Sequence, residues 1–127
     1  MSYPAHKLHT DQTHFLKKYI TYSDSGISAG TFEIGTLPKN AQILRTVVQI
    51  ATVSTAGGVL TVGTASGTAN NIVTAGDINE TVLAQTSVAG VGVLSSTLDY
   101  PVYLKWATAT GGAAYVTIEY VPHPANS

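Results

Sequence analysis

An antiparallel β-sandwich of the jelly-roll kind, all-β and led by an extended N-terminal arm, is the fold class this sequence predicts. Three observations carry it. Short runs rich in Val, Ile, Thr and Tyr recur along the chain. Gly, Pro and Asn turns separate them, and no stretch sustains a strong helical period. The chain has 127 residues, enough for one domain that buries roughly two-thirds of its unfolded surface. Residues 1–14 are expected to form the arm and residues 15–127 a single sandwich.

Taken in order, the arm is polar, carries Pro4 and holds three of the four histidines, His6, His9 and His14. Tyr3, Leu8 and Phe15 give it apolar anchors that a plain spacer would lack, which suits a segment that orders against a partner as well as a frayed terminus. Residues 17–22 are β-branched and aromatic and read as a strand, with a helix over residues 11–19 as the competing reading. Residues 31–34 form a short strand with Phe32 and Ile34 on one side and Glu33 on the other. Leu37-Pro38-Lys39-Asn40 is a turn, because Pro38 fixes φ and Asn40 tolerates unusual backbone angles.

The longest strand spans residues 42–53. One face carries Leu44, Val48 and Ile50. The other carries Ile43, Arg45, Val47, Gln49, Ala51 and Val53. Neither face is cleanly polar, whereas a strand with one solvated face should alternate. A loop covering the second face would explain this, and so would a neighbouring subunit. Ile43, Arg45, Val47 and Gln49 are therefore candidate interface residues, together with Tyr3, Leu8 and Phe15.

Gly57-Gly58 is expected to turn the chain as a hairpin into a strand over residues 59–63. A long polar loop over residues 64–76, a strand over 78–85 and a loop over 87–92 follow. The last two strands alternate most clearly. Val102, Leu104 and Trp106 mark one buried face, and Val116, Ile118 and Tyr120 another. Gly111-Gly112 between them reads as a second hairpin turn, and Pro122 and Pro124 end the pairing.

Charged residues are only 10% of the chain, well under the roughly 25% typical of soluble domains. A surface so poor in charge can lie against another protein with little charge desolvation. Six basic against seven acidic residues make no positive footprint for phosphates, so nucleic acid is not an expected partner. The chain has no cysteine, which removes disulfides, thiolate zinc sites and thiol chemistry. No apolar run approaches the roughly 20 residues of a helical membrane span, and the first residues lack the apolar core of a secretion signal. Synthesis in a cytoplasm, with no membrane partner, is the expectation.

Catalytic chemistry is hard to find. The histidines sit at the ends of the chain, so no local Ser-His-acid signature exists. His6, His9, Asp11 and His14 are close in sequence, but metal ligation needs rigidly held side chains with oriented imidazoles, and this segment offers no rigidity. Asp77 and Glu80 could approach one another, yet read better as solvated carboxylates than as a glycosidase pair. Gly63-Thr64-Ala65-Ser66-Gly67 lacks the lysine and the following helix of a phosphate loop. Trp106 alternates with core residues, so it is not expected to form a sugar-stacking platform. The reading is a non-enzymatic protein without cofactor or metal.

Gly35-Thr36-Leu37-Pro38-Lys39-Asn40-Ala41-Gln42-Ile43, running into Val47 and Val48, resembles a pattern of phage head-associated proteins in which a Leu-Pro turn opens a long apolar strand. The likeness continues through Leu60-Thr61-Val62-Gly63-Thr64, Ile72-Val73-Thr74-Ala75-Gly76-Asp77 and Val116-Thr117-Ile118-Glu119-Tyr120. The chain thus resembles the capsid decoration (auxiliary head or cement) proteins of tailed bacteriophages. That resemblance implies a virion protein on the capsid exterior, made in the bacterial host cytoplasm. Its partners would be the phage major capsid protein and further copies of itself, as a homotrimer. Phage tail, neck and head-fibre proteins share the same look. A carbohydrate- or receptor-binding β-module is the reading from another class.

Overall fold

The computed structural model describes residues 13–22, 31–54, 59–66, 69–80, 82–107 and 111–122. Among the described residues there are seven strands: β1 (His14–Thr21), β2 (Phe32–Leu37), β3 (Gln42–Thr52), β4 (Val59–Gly63), β5 (Gln85–Val93), β6 (Tyr100–Ala107) and β7 (Ala113–Val121). They form two antiparallel sheets. The four-stranded sheet has the order β1-β7-β3-β5, and the three-stranded sheet has β2-β6-β4. Every odd strand lies in the first sheet and every even strand in the second, so the chain changes sheet at each connection.

The pairings are nested. β1 pairs with β7, β2 with β6, and β3 with β5. Innermost, Val62 of β4 bridges Val73. This nesting describes one long antiparallel ribbon rolled up on itself, which is the jelly-roll arrangement. The segment after β4 occupies the place of an eighth strand.

Why the ribbon rolls is visible in the burial pattern. β6 alternates buried and half-buried residues along its whole length, with Val102, Leu104 and Trp106 inward. β7 sends Ala114, Val116 and Ile118 inward from the opposite sheet. Both strands have one apolar face, and each face is satisfied by the other sheet across a single core. That core also takes Ile20, Leu37, Leu60, Val48 and Ile50. Trp106 is fully buried within it, so it is no sugar platform.

Several expectations are corrected here. Neither glycine pair closes a hairpin. β3 and β4 lie in different sheets, as do β6 and β7. Alternation looks the same whether two strands pair side by side or face each other across a core. Gly57 and Gly58 themselves lie outside the described residues. Gly112 has φ 133°, and a Cβ there would meet the Trp106 ring at 2.8 Å, so this glycine serves close packing as well as the turn.

The described residues of 78–84 are in no strand; the strand begins at Gln85 and takes in residues 87–92, which read as a loop. The sequence QTSVAGVGV hides its strand because two glycines break the apolar alternation. β1 starts at His14, three residues before the expected strand, and runs through the segment where a helix competed. β2 extends to Leu37, three residues beyond expectation.

Ile43 is corrected as well. The pairing of β3 with both neighbours shifts between Ile43 and Arg45. Such a bulge advances the side-chain phase by one residue. Ile43 therefore points into the core, 2% exposed, while Leu44 is 40% exposed. From Arg45 onward the expected alternation resumes, with Arg45, Val47 and Gln49 outward and Val48 and Ile50 inward.

Candidate functional site: the outer face of the four-stranded sheet

The register of the sheet sets outward residues side by side in three rows. Phe15, Glu119, Arg45 and Ala89 form the first. Lys17, Thr117, Val47 and Ser87 form the second. Tyr19, Tyr115, Gln49 and Gln85 form the third. Phe15, Arg45, Val47 and Gln49, four of the sequence-derived candidates, thus share one face. Ile43 faces the core and leaves the set. Tyr3 and Leu8 lie outside the described residues, as do His6, His9 and Asp11.

Contacts across the strands stiffen this surface. Arg45 Nε donates to Glu119 Oε2 at 2.9 Å, between directly opposed residues of β3 and β7. The pair is half in solvent, and such pairs contribute about 0.2–1 kcal/mol to stability. The Tyr19 and Tyr115 rings lie 4.7 Å apart at 46°, a tilted contact between cross-strand partners. Lys17 Nζ sits 5.5 Å from the centre of the Tyr115 ring, within cation–π range. The result is a mixed face, with exposed aromatics at one edge, one ion pair at the centre and small polar residues toward β5. Phe15 is 62% exposed at the β1 edge of this face.

Sequence reading missed Tyr19, Tyr115 and Glu119 as members of this face. The signal was alternation, since Tyr115, Thr117 and Glu119 are the residues between the core positions of β7. Their coincidence with β1 and β3 needed the register.

Three acidic residues bind backbone groups of the fold. Glu80 is 7% exposed, against the expectation of a solvated carboxylate, and its Oε2 accepts the backbone N–H of Leu60 at 2.8 Å. Asp77 Oδ2 accepts from the Thr74 backbone N–H at 2.9 Å and from Thr74 Oγ1 at 3.0 Å, tying its own turn. Asp99 Oδ1 accepts the Lys39 backbone N–H at 3.0 Å. Among the described residues no three His, Cys, Asp or Glu side chains converge on a metal position. A pocket of about 240 Å³ lies between the outer face of the three-stranded sheet and the segment after β4, lined by Val59, Thr61, Ala69, Asn70, Lys105 and Ala107 among others. It brings one cation and no nucleophile–base pair, so it holds none of the arrangements that covalent or acid–base catalysis needs.

No protein family and no curated protein matches this sequence. Solved structures do match in fold. A chain in the capsid of Ralstonia phage GP4 is 19% identical with a TM-score of 0.60, over 87% of this chain and 84% of that one. A chain in the acid-stable capsid of Helicobacter pylori bacteriophage KHP30 is 15% identical with a TM-score of 0.58, over 85% and 86%. A chain in the capsid asymmetric unit of cyanophage Pam1 is 16% identical with a TM-score of 0.53, over 86% and 84%. At these identities the likeness establishes a shared fold.

Proposed function

We propose that this protein is a structural component of a bacteriophage particle that decorates the outside of the major capsid shell and binds it through the outer face of its four-stranded sheet. One observation carries the reading. A low-charge jelly roll, shared in fold with chains of three phage capsids, gathers Phe15, Tyr19, Tyr115, Val47 and the Arg45–Glu119 pair on one exposed face.

Magnitudes fit a repeated attachment. Four strands by three rows span roughly 14 Å each way, or about 200 Å², far below the roughly 800 Å² per partner of a stable pairwise interface. A single contact of this size is weak. Many copies on a symmetric shell, each bridging neighbouring capsomers, convert weak contacts into a stable coat. Tyr3 and Leu8 in the arm would extend the contact beyond the sheet. In this reading the protein needs no catalytic group and no cofactor. It is made in the host cytoplasm and works on the virion exterior.

The test is co-sedimentation with shells of the cognate major capsid protein. Val47 sits at the middle of the face, half-exposed between Thr117 and Ser87. Val47→Lys keeps the fold, because the longer side chain reaches solvent, and it places a charge in the contact. The expected outcome is wild-type protein pelleting with the shells, and Val47→Lys remaining in the supernatant with an unchanged melting temperature. Equal binding by both proteins would remove this face from the interface.

A further inference from the structure

The fold has four sheet edges, and three of them carry recognised protection against pairing with another chain. β4 is covered by the segment that follows it. On that side Leu60 N–H goes to Glu80 Oε2, Val62 N–H to the Val73 carbonyl and Thr64 N–H to Asn71 Oδ1. β1 carries Lys17 and Lys18, and edge lysines block self-pairing. β2 is bulged between Glu33 and Gly35, and its Gly35 is packed directly under Leu16 of β1.

β5 lacks such protection over its first half among the described residues, since its one bulge against β3 falls between Ala89 and Gly92, past Ser87. Its nine residues include no charged side chain and no proline, and among the described residues no strand pairs with its outer side. The direction of its free hydrogen-bonding groups follows from one bond. Ile50 N–H donates to the Ala84 carbonyl at 3.0 Å. Antiparallel partners alternate between bonded and non-bonded pairs. In the β3–β5 register the groups of Thr86 and Val88 therefore serve β3, and those of Gln85, Ser87 and Ala89 point outward.

We propose that β5 pairs antiparallel with β5 of a second copy, about a two-fold axis at Ser87, joining two four-stranded sheets into one of eight strands. The register brings Ser87 opposite the second copy's Ser87 and Gln85 opposite its Ala89, so all three outward-pointing sets of backbone groups find partners. Leu83, 66% exposed, and Val91, also exposed, lie four residues either side of Ser87. No like charges meet, because β5 has none. A pairing of β5 with β1 of another copy would be head-to-tail and would have to close a ring or propagate, whereas the two-fold pair closes with one edge per copy. This assembly is a dimer, where the family resemblance implies a trimer. It stands apart from the capsid reading, since it concerns the free protein and leaves the Phe15, Tyr19 and Tyr115 end of the sheet open.

The experiment is analytical ultracentrifugation of the full chain, wild type, Ser87→Lys and Ser87→Glu, alone and mixed. Ser87 is exposed on the outer face, so each substitution leaves the monomer's core untouched. The expected result is a wild-type dimer. Each variant should dissociate about tenfold or more readily, because two like charges then face one another across the axis. An equimolar mixture of the lysine and glutamate variants should regain the dimer. A wild-type monomer, a trimer, an oligomer indifferent to Ser87→Lys, or variants that fail to reassociate when mixed would each overturn the proposal. Circular dichroism of each variant separates lost pairing from lost fold.

Discussion

Gly90 shows how closely single residues are fixed in this protein. A Cβ at this position would fall on the carbonyl oxygens of Ile43 and Leu44, so β5 can follow the bulge in β3 only with hydrogen there. Backbone atoms cannot move aside as a flexible side chain would. Gly90→Ala is expected to destabilise the fold by about 2 kcal/mol or more, measured by urea unfolding. Tyr100 presents the opposite case, a buried group the fold gains little from. Its hydroxyl is buried with no hydrogen-bond partner among the described residues, and burial pushes its pKa above the ordinary 10.0. The neutral phenol is favoured in the folded state. Its stabilising share is therefore present below about pH 10 and is lost as pH rises through the raised folded value. Tyr100→Phe should melt at the same temperature as wild type or slightly above it at pH 7, and gain a larger advantage at pH 11.

At the scale of the element, the protection of β4 is the feature with the clearest energetic consequence. Glu80 leaves solvent to accept the Leu60 N–H, and its own carbonyl accepts the Ser54 N–H at 2.8 Å. Removing the carboxylate strands a buried donor, which costs about 1–3 kcal/mol. Glu80→Ala should lower stability by that amount, and Glu80→Gln should recover most of it, because an amide oxygen can still accept. Amide exchange at Leu60 reads the same event locally. Elements also show where sequence reading succeeds. β6 and β7 are legible because period-two apolar patterns mark a half-buried strand without knowledge of its partner, and β3 and β4 because β-branched apolar runs follow turn residues. β5 is not, since Gly90 sits there for close approach to β3 and Gly92 for a positive φ of 75°, and together they erase the pattern. The Ile43–Leu44 exchange of faces is equally hidden, because a bulge is a property of the pairing between strands.

For the whole molecule, the sandwich class and its jelly-roll kind could be read from turn spacing and strand composition, and the strand order could not. Turn chemistry at Gly111-Gly112 looks the same for a hairpin and for a chain crossing from one sheet to the other, and non-local register decides between them. The candidate face divides in the same way. Phe15, Arg45, Val47 and Gln49 follow from the two-sided apolar character of β3 and the exposed anchor at the start of β1. Tyr19, Tyr115 and Glu119 join them only through the β1–β7–β3 register. The completed face is small and mixed, and in the proposed function it acts by repetition over the shell.

That claim is tested most directly by cryo-electron microscopy of the cognate capsid shells incubated with the purified protein. The account predicts density for the jelly roll at regular icosahedral positions, with Phe15, Tyr19, Val47 and Tyr115 of the four-stranded sheet against the shell. Bare shells, or density that docks through the three-stranded sheet and leaves this face in solvent, would contradict it.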